Sequence, residues 1–337
     1  MKRPRIAITL GDPAGIGPEL ILHLCRTPQL LQEFELAVYG NESILNRIAL
    51  ASGVPKPEAF YPLPLEPGAG RLPLPPGIPG LVDLPFPEAE TIRPSAVQPA
   101  CGRLAATAIE TAVRDIRLGL ADALVTAPIN KAAMHAAGVN FPGHTEMLAA
   151  LTRTSSPCMA FDSPKLFVSL ATIHEAVRDV PALLNTPSLV RTIRLTAQAC
   201  AKRKGGRPRI GVLALNPHAG EGGLFGDEEA RIITPAIEAA RREGIEVEGP
   251  LVPDTAFTWL LAGRPSPYDG YVAIYHDQAL ILFKTVAFDD GVNVTLGLPI
   301  VRTSPDHGTA FDIAWQGKAS PASMISALRL AGKLAGR

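Results

Sequence analysis

Short apolar runs that stop at a polar turn and give way to helix recur along this chain, and that alternation constrains its fold more than any other feature. Ile6–Leu10 runs into Gly11-Asp12-Pro13-Ala14-Gly15-Ile16-Gly17, and Pro18 suits the opening of a helix that continues to about Arg26. Leu36–Gly40 repeats the pattern, with Asn41 as the capping residue of the next helix. The same reading predicts strands at Ala123–Thr126, Leu166–Ala171, Arg209–Leu215, Tyr271–Tyr275 and Val292–Leu296. Helices are predicted near Gly102–Leu118 and over Pro187–Lys202, Asp227–Arg242, Asp254–Ala262 and Pro321–Ala335. Strands alternating with helices specify an α/β fold, a sheet flanked by helices. In such folds ligands bind beyond the carboxyl ends of the strands, so the loops after these runs are where chemistry belongs.

One stretch breaks the alternation. Between Pro55 and Pro99 fall thirteen of the 33 prolines, and proline removes a ladder donor, so an irregular excursion with edge strands at most is expected there. At roughly 150 residues per domain, 337 residues suggest two domains. Lys+Arg and Asp+Glu are both 32, a balance that lacks the basic footprint of a protein coating nucleic acid or an anionic membrane. Cys25, Cys101, Cys158 and Cys200 are widely spaced, which excludes a zinc ribbon and reads as scattered buried thiols in a reducing compartment. The basic start Met1-Lys2-Arg3-Pro4-Arg5 precedes an apolar run too short for a signal peptide, and no apolar run of about 20 residues occurs. The chain reads as cytoplasmic.

Three histidines, His174, His218 and His276, follow predicted strands. Imidazole is the commonest ligand for borderline divalent metals, and three protein ligands leave positions for substrate or water. Each alone reads first as a hydrogen-bonded loop histidine; equivalent placement on three strand ends is what a metal triad needs. Asp254 and Asp277 are candidates to orient a histidine tautomer, or to act in catalysis. The loop Asn216–Asp227 carries four glycines in seven positions, yet neither it nor Gly11–Gly17 spells G-x-G-x-x-G or a Walker A loop. A nucleotide would have to be held by something other than a Rossmann fingerprint. After Pro142-Gly143-His144, Thr145 is a candidate N-cap, read either as plain capping or as part of an anion site at a helix N-terminus. Lys284, Asn293 and Arg302 combine a point charge with a planar fork suited to phosphate and carboxylate, although singly each also reads as a solvated surface residue.

Longer motifs link these positions. Thr9-Leu10-Gly11-Asp12-Pro13-Ala14-Gly15-Ile16-Gly17-Pro18-Glu19, Thr126-Ala127-Pro128-Ile129-Asn130-Lys131 and Gly143-His144-Thr145-Glu146 come first. Asn216–Gly223, Tyr275-His276-Asp277-Gln278, Gly291–Pro299, Arg302-Thr303-Ser304 and Asp306–Ala310 follow. In this order the chain resembles the 4-hydroxythreonine-4-phosphate dehydrogenases of pyridoxal phosphate biosynthesis, the PdxA family; only residues 55–99 carry none of its motifs. The resemblance implies a two-domain fold like that of the isocitrate and isopropylmalate dehydrogenases, with the active site in the interdomain cleft. It implies one domain from residues 1–126 plus 303–337 and a second from 127–302, the latter carrying metal ligands and dimer contacts. His174, His218 and His276 would bind one divalent metal (zinc, cobalt or magnesium). His144, Thr145, Lys284, Asn293 and Arg302 would bind the phosphorylated substrate. Asp306, His307, Gly308 and Thr309 are similar to a nucleotide-binding loop for NAD or NADP. The family pattern further implies a homodimer with metal ligands drawn from both subunits.

The implied reaction is oxidation of 4-phosphohydroxy-L-threonine to 2-amino-3-oxo-4-phosphooxybutanoate, which decarboxylates to 3-amino-2-oxopropyl phosphate. Other readings are a paralogue acting on 4-phospho-D-erythronate or 4-phospho-D-threonate, a three-histidine metal hydrolase, and a phosphate-binding protein without enzymatic activity.

Overall fold

The computed structural model describes residues 3–66, 68 and 70–336, so Met1 and Lys2 of the basic start and Pro67 of the proline-rich stretch lie outside the described residues. The chain divides into two compact units, residues 1–157 with 298–337 and residues 158–297. In the first, β1 (Arg5–Thr9) feeds α1 (Gly17–Cys25), followed by α2 (Pro28–Glu33), β2 (Glu35–Gly40) and α3 (Glu42–Ser52). The anticipated Asn41 cap is present: its Oδ1 accepts the Ile44 N–H at 3.0 Å. The proline-rich stretch contributes β3 (Tyr61–Leu63) and β4 (Gly80–Asp83), and α4 (Pro99–Arg117), β5 (Ala123–Thr126), α5 (Lys131–Ala136) and α6 (His144–Thr152) follow. β3 is an edge strand as expected. β4 is not: it pairs with both β2 and β3, because Gly80–Asp83 holds no proline and keeps its donors.

The second unit starts with β6 (Cys158–Asp162) and β7 (Phe167–Leu170), then α7 (Val180–Leu183), α8 (Thr186–Lys204) and β8 (Arg209–Leu213). A π-helical turn, Glu229–Ile233, opens the segment expected to be a regular helix and continues as α9 (Thr234–Arg242). β9 (Glu246–Leu251), α10 (Thr258–Leu261), β10 (Gly270–Ala273), α11 (His276–Val286) and β11 (Val292–Leu296) complete the unit. Its strands run β11-β6-β7-β10-β8-β9. β7, β10, β8 and β9 are parallel, whereas β6 is antiparallel to both its neighbours. Phe161, Val168, Leu213, Tyr271 and Phe283 are at the centre of its core. β6 and β9 escape sequence reading: β6 mixes Cys, Met, Ala, Phe and Asp, and four of the six β9 residues are charged or turn-forming, so neither shows a strand period.

The chain returns to the first unit as β12 (Arg302–Pro305) and α12 (Ala322–Leu334). The order there is β3-β4-β2-β1-β5-β12, every pair parallel. From β1 the sheet grows to β2 on one side and to β5 on the other. The loops after β1 and β5 therefore leave at a topological switch point, where open α/β sheets bind ligands. The first unit runs on past α5 and α6 to Pro157. The reason is helix packing: a Cβ on Gly102 of α4 would lie 2.2 Å from the Ala133 carbonyl oxygen of α5, so only glycine lets the two helices meet this closely.

Candidate active site

The first unit ends three adjacent strands, β1, β5 and β12, in the motif loops. Gly11 takes φ +73, and a Cβ there would stand 2.4 Å from the Pro128 carbonyl oxygen, so the loops after β1 and β5 touch backbone to backbone. The Asp12 N–H donates to Pro128 O at 2.9 Å and the Ile16 N–H to Thr309 O at 3.0 Å. Glu19, buried at the start of α1, accepts the N–H groups of Trp315 and Gly317. The glycine-bearing turn that fails both nucleotide fingerprints is thus a clasp: it holds the β5 loop and the segment after β12 in fixed register. Inside it lies Asp12, whose Oδ1 accepts the Ala14 N–H at 2.8 Å while Oδ2 is buried. Burial raises the Asp12 carboxyl to about 6, against the lowering effect of the Ala14 bond.

Arg302 is 3% exposed and gives Thr126 Oγ1 two donors, Nη2 at 2.9 Å and Nε at 3.3 Å. Burial lowers its guanidinium to about 9, opposed by the charge of Glu146, so it remains a cation at neutral pH. His144 opens α6, and its Nε2 is shut off from solvent with no hydrogen-bond partner. Burial, reinforced by Arg302 and Lys131, pushes this imidazole well below its ordinary value and keeps it neutral. Thr145 is not the cap the sequence suggested. Gly143 holds that position, and Thr145 is one turn-position inside, buried. Thr126, Lys131, His144, Ser304, His307 and Gly308 line a cleft of about 140 Å³. That volume suits a phosphoryl group rather than a dinucleotide. The Asp306 N–H donates to Ser323 Oγ at 3.2 Å, and His307 Nδ1 lies 3.0 Å from the Gly308 carbonyl.

The second unit holds the histidines. His174, His218 and His276 follow β7, β8 and β10, three strands that are neighbours in one parallel ladder. Thr172 ties the β7 end to β10 through Ile274 O at 2.8 Å, and the rings of His174 and His276 are 5.8 Å apart. His276 is not in a loop but is the first residue of α11. Its neighbour Gln278 accepts the Ile274 N–H and donates to Ala214 O, both at 2.7 Å, locking the ends of β10 and β8 together. His218 lies in a run of left-handed backbone, φ 51, 56, 79, 43 and 67° from His218 to Gly222. Three of those residues carry a side chain, at roughly 1–2 kcal/mol each. Glu229 offsets this by accepting the N–H groups of Leu215 and Asn216 and the Asn216 amide.

The imidazoles present the donor chemistry a metal requires. His276 Nδ1 bonds Asp277 at 2.7 Å and His218 Nδ1 bonds Glu221 at 2.6 Å, so a carboxylate behind each fixes the tautomer and leaves Nε2 outward. Asp254 lies 4.0 Å from His218 Nε2. Among the described residues of one chain, no three His, Cys, Asp or Glu side chains gather closely enough to hold a metal. Of the residues expected at the phosphate, His144, Thr145 and Arg302 are in the first unit. Lys284, exposed on α11, and Asn293, on β11 opposite Phe161, are in the second. Thr126, Gln278 and Glu229 were not singled out in the sequence. The only signal for the first two was their place in the Thr126–Lys131 and Tyr275–Gln278 motifs, because their partners are remote in the chain.

Comparisons with known proteins find similarity along almost the whole chain. The family described as "Pyridoxal phosphate biosynthetic protein PdxA" matches residues 36–331. A 4-hydroxythreonine-4-phosphate dehydrogenase of Trichlorobacter lovleyi is 44% identical, covering 99% of this chain and 98% of its own. A D-threonate 4-phosphate dehydrogenase of Salmonella typhimurium is also 44% identical, covering 99% and 100%. The crystal structure of a 4-hydroxythreonine-4-phosphate dehydrogenase from Klebsiella pneumoniae superposes with a TM-score of 0.85 at 42% identity, covering 99% of each chain.

Proposed function

The chain belongs to the PdxA family of pyridoxal phosphate biosynthetic proteins, and from that premise we propose that it oxidises 4-phosphohydroxy-L-threonine with NAD or NADP, using one divalent metal. The observation that carries the reading is the cleft of the first unit. Its wall carries a neutral imidazole with an unpartnered, shielded nitrogen and Thr126, whose hydroxyl holds the buried Arg302 guanidinium behind it, an arrangement that suits a phosphoryl anion. His307 and Gly308 of the candidate nucleotide loop line the same cleft, as hydride transfer demands of groups that must bring substrate and nicotinamide into contact.

In this reading Arg302 and His144 grip the phosphoryl end, with Lys284 and Asn293 as further substrate contacts. Thr126 holds the guanidinium fork in one orientation, so little freedom is lost when the anion arrives. His174, His218 and His276 are the residues that would hold the metal, with ligands drawn from the two subunits of a homodimer. Asp277 and Glu221 fix the tautomers of His276 and His218, and Asp254 and Asp277 are the candidate carboxylates to receive the hydroxyl proton. When bound, the metal would supply an electrophile for the substrate hydroxyl and the nicotinamide an acceptor for hydride. The β-keto acid product then loses carbon dioxide.

A second reading has equal support from identity: oxidation of D-threonate 4-phosphate, as the Salmonella relative is named. The two substrates differ in an amino against a hydroxyl group and share the phosphoryl end. Purified protein is incubated with NAD and each substrate, with and without chelator, and reduced nicotinamide is followed by absorbance. Turnover of the hydroxythreonine phosphate supports the first reading, and turnover of only the threonate supports the second. Loss on chelation with recovery on zinc, cobalt or magnesium supports the metal. Turnover of neither substrate rejects both readings.

A further inference from the structure

We propose that Lys131 is the second cation of the phosphoryl cradle and the residue that makes it prefer a doubly charged anion to a singly charged one; this rests on the reading of the first unit's cleft as the phosphate subsite. Lys131 is the first residue of α5, five positions after Thr126, so one short connection supplies both the hydroxyl that holds Arg302 and a further ammonium. Asn130 caps the helix, its Oδ1 accepting the Ala133 N–H at 3.0 Å, which fixes where Lys131 leaves the backbone.

Lys131 is exposed yet lines the cleft beside His144. A Cβ built on Gly143 would meet Lys131 Cε at 3.7 Å and Glu146 Oε2 at 3.3 Å, so the lysine stem lies against the glycine before His144. No hydrogen bond or ion pair to Lys131 Nζ occurs among the described residues, although Glu146 is close by. Its charge adds to that of Arg302 at the His144 ring. Lys131 thus faces a partly unsatisfied polar pocket whose His144 also feels the buried Arg302 charge, with the Glu146 carboxylate close by. Like charges held together in a cleft raise the energy of the empty protein, and an anion entering between them relieves it. One guanidinium matches a monoanion; a phosphoryl dianion has a charge left for the ammonium, which as a flexible point charge suits it.

Full-length protein is titrated calorimetrically with inorganic phosphate, and with acetate as the singly charged control, for the unaltered chain and for Lys131→Gln, Lys131→Arg and Arg302→Lys. Lys131→Gln is expected to weaken phosphate roughly ten- to a hundredfold and acetate by less than about threefold. Lys131→Arg should recover most of the phosphate affinity. In turnover, Lys131→Gln should raise KM while kcat holds, because the contact serves ground and transition states alike. If Arg302→Lys weakens phosphate and Lys131→Gln leaves it within about twofold, Lys131 has no part in the cradle. If neither substitution changes phosphate binding, the cleft is not the phosphate subsite and the inference goes with it. Equal losses for phosphate and acetate, or a fall in kcat at constant KM, overturn the selectivity assigned to Lys131.

Discussion

Asp12 is a buried carboxyl group, with Oδ1 bonded to the Ala14 N–H and the Cys101 thiol beside it. Burial raises it from 3.8 to about 6, so between those values the folded chain carries more of its proton than the unfolded one. Stability must then rise as pH falls through that window, be fully gained below about 4, and be lost as pH climbs through the window to about 6. The amplitude is on the order of 3 kcal/mol by the usual conversion. Asn keeps the bond to Ala14 and has no proton to exchange. Urea unfolding of the native chain and of Asp12→Asn between pH 4 and pH 8 should therefore give curves that converge in acid, separate between about 4 and 6 and run parallel above, with the variant the more stable at neutral pH. Curves that remain parallel throughout would show that this carboxyl does not titrate in that range. Nothing around Asp12 in the sequence marks it as buried; the apposed loops that enclose it come from residues 128 and 309.

At the scale of elements, close backbone approach decides more than propensity does. α4 reads as a helix from its pattern, but what the helix is for depends on Gly102, against which the Ala133 carbonyl packs. Gly102→Ala improves intrinsic helix propensity by about 1 kcal/mol and should nevertheless destabilise, because backbone at 2.2 Å cannot yield as a flexible side chain would. A net loss of about 1–3 kcal/mol is expected in denaturant unfolding. Since α5 starts at Lys131, the same shift should raise KM for the phosphorylated substrate. A variant as stable as the parent would mean that α4 and α5 separate freely. The glycine-rich loop of residues 216–227 makes the complementary point. Its glycines were legible as a sign of unusual backbone, yet the left-handed conformation falls on His218, Ala219 and Glu221 as well, and is held by Glu229 from the following helical turn. A tertiary hydrogen-bond acceptor, not composition, makes that backbone affordable.

For the molecule as a whole, the proline-rich segment is pinned rather than loose. Arg71 bridges Glu35 and Asp122 at 2.9 Å, with all three side chains about a tenth exposed, and Arg5 reaches the same Glu35. Arg71→Met keeps the apolar stem and removes the charge, leaving buried carboxylates short of a partner. Breaking a buried pair from one side costs about 3–5 kcal/mol, and the remaining Arg5 bond should hold the loss to the lower end. The expected readouts are a melting temperature lower by roughly 5–10 °C and faster proteolytic cleavage within residues 55–99. An unchanged melting temperature would make the network ornamental. The same packing accounts for the four thiols: all are buried, and burial pushes each up to about 12, so they remain protonated and inert. No helix among the described residues is long and apolar enough to cross a membrane.

The sequence by itself determined the α/β class, the strands that end in motif loops, and the residue types of the site, because hydrophobic period, capping and motif spacing are local in the chain. β1, β2, β5 and β11 were legible to within a residue or two for that reason. Placement of His174, His218 and His276 after three strands was legible too; that those strands are neighbours was not, since β10 inserts between β7 and β8 only through pairing. The role of Thr126 required an arginine 176 residues away, and the role of Gln278 required a carbonyl 64 residues away. The interior position of β4 required β2 and β3 on either side. Such partners are set by sheet order and helix packing, which join residues without regard to their separation, and no period or motif within one segment carries that information.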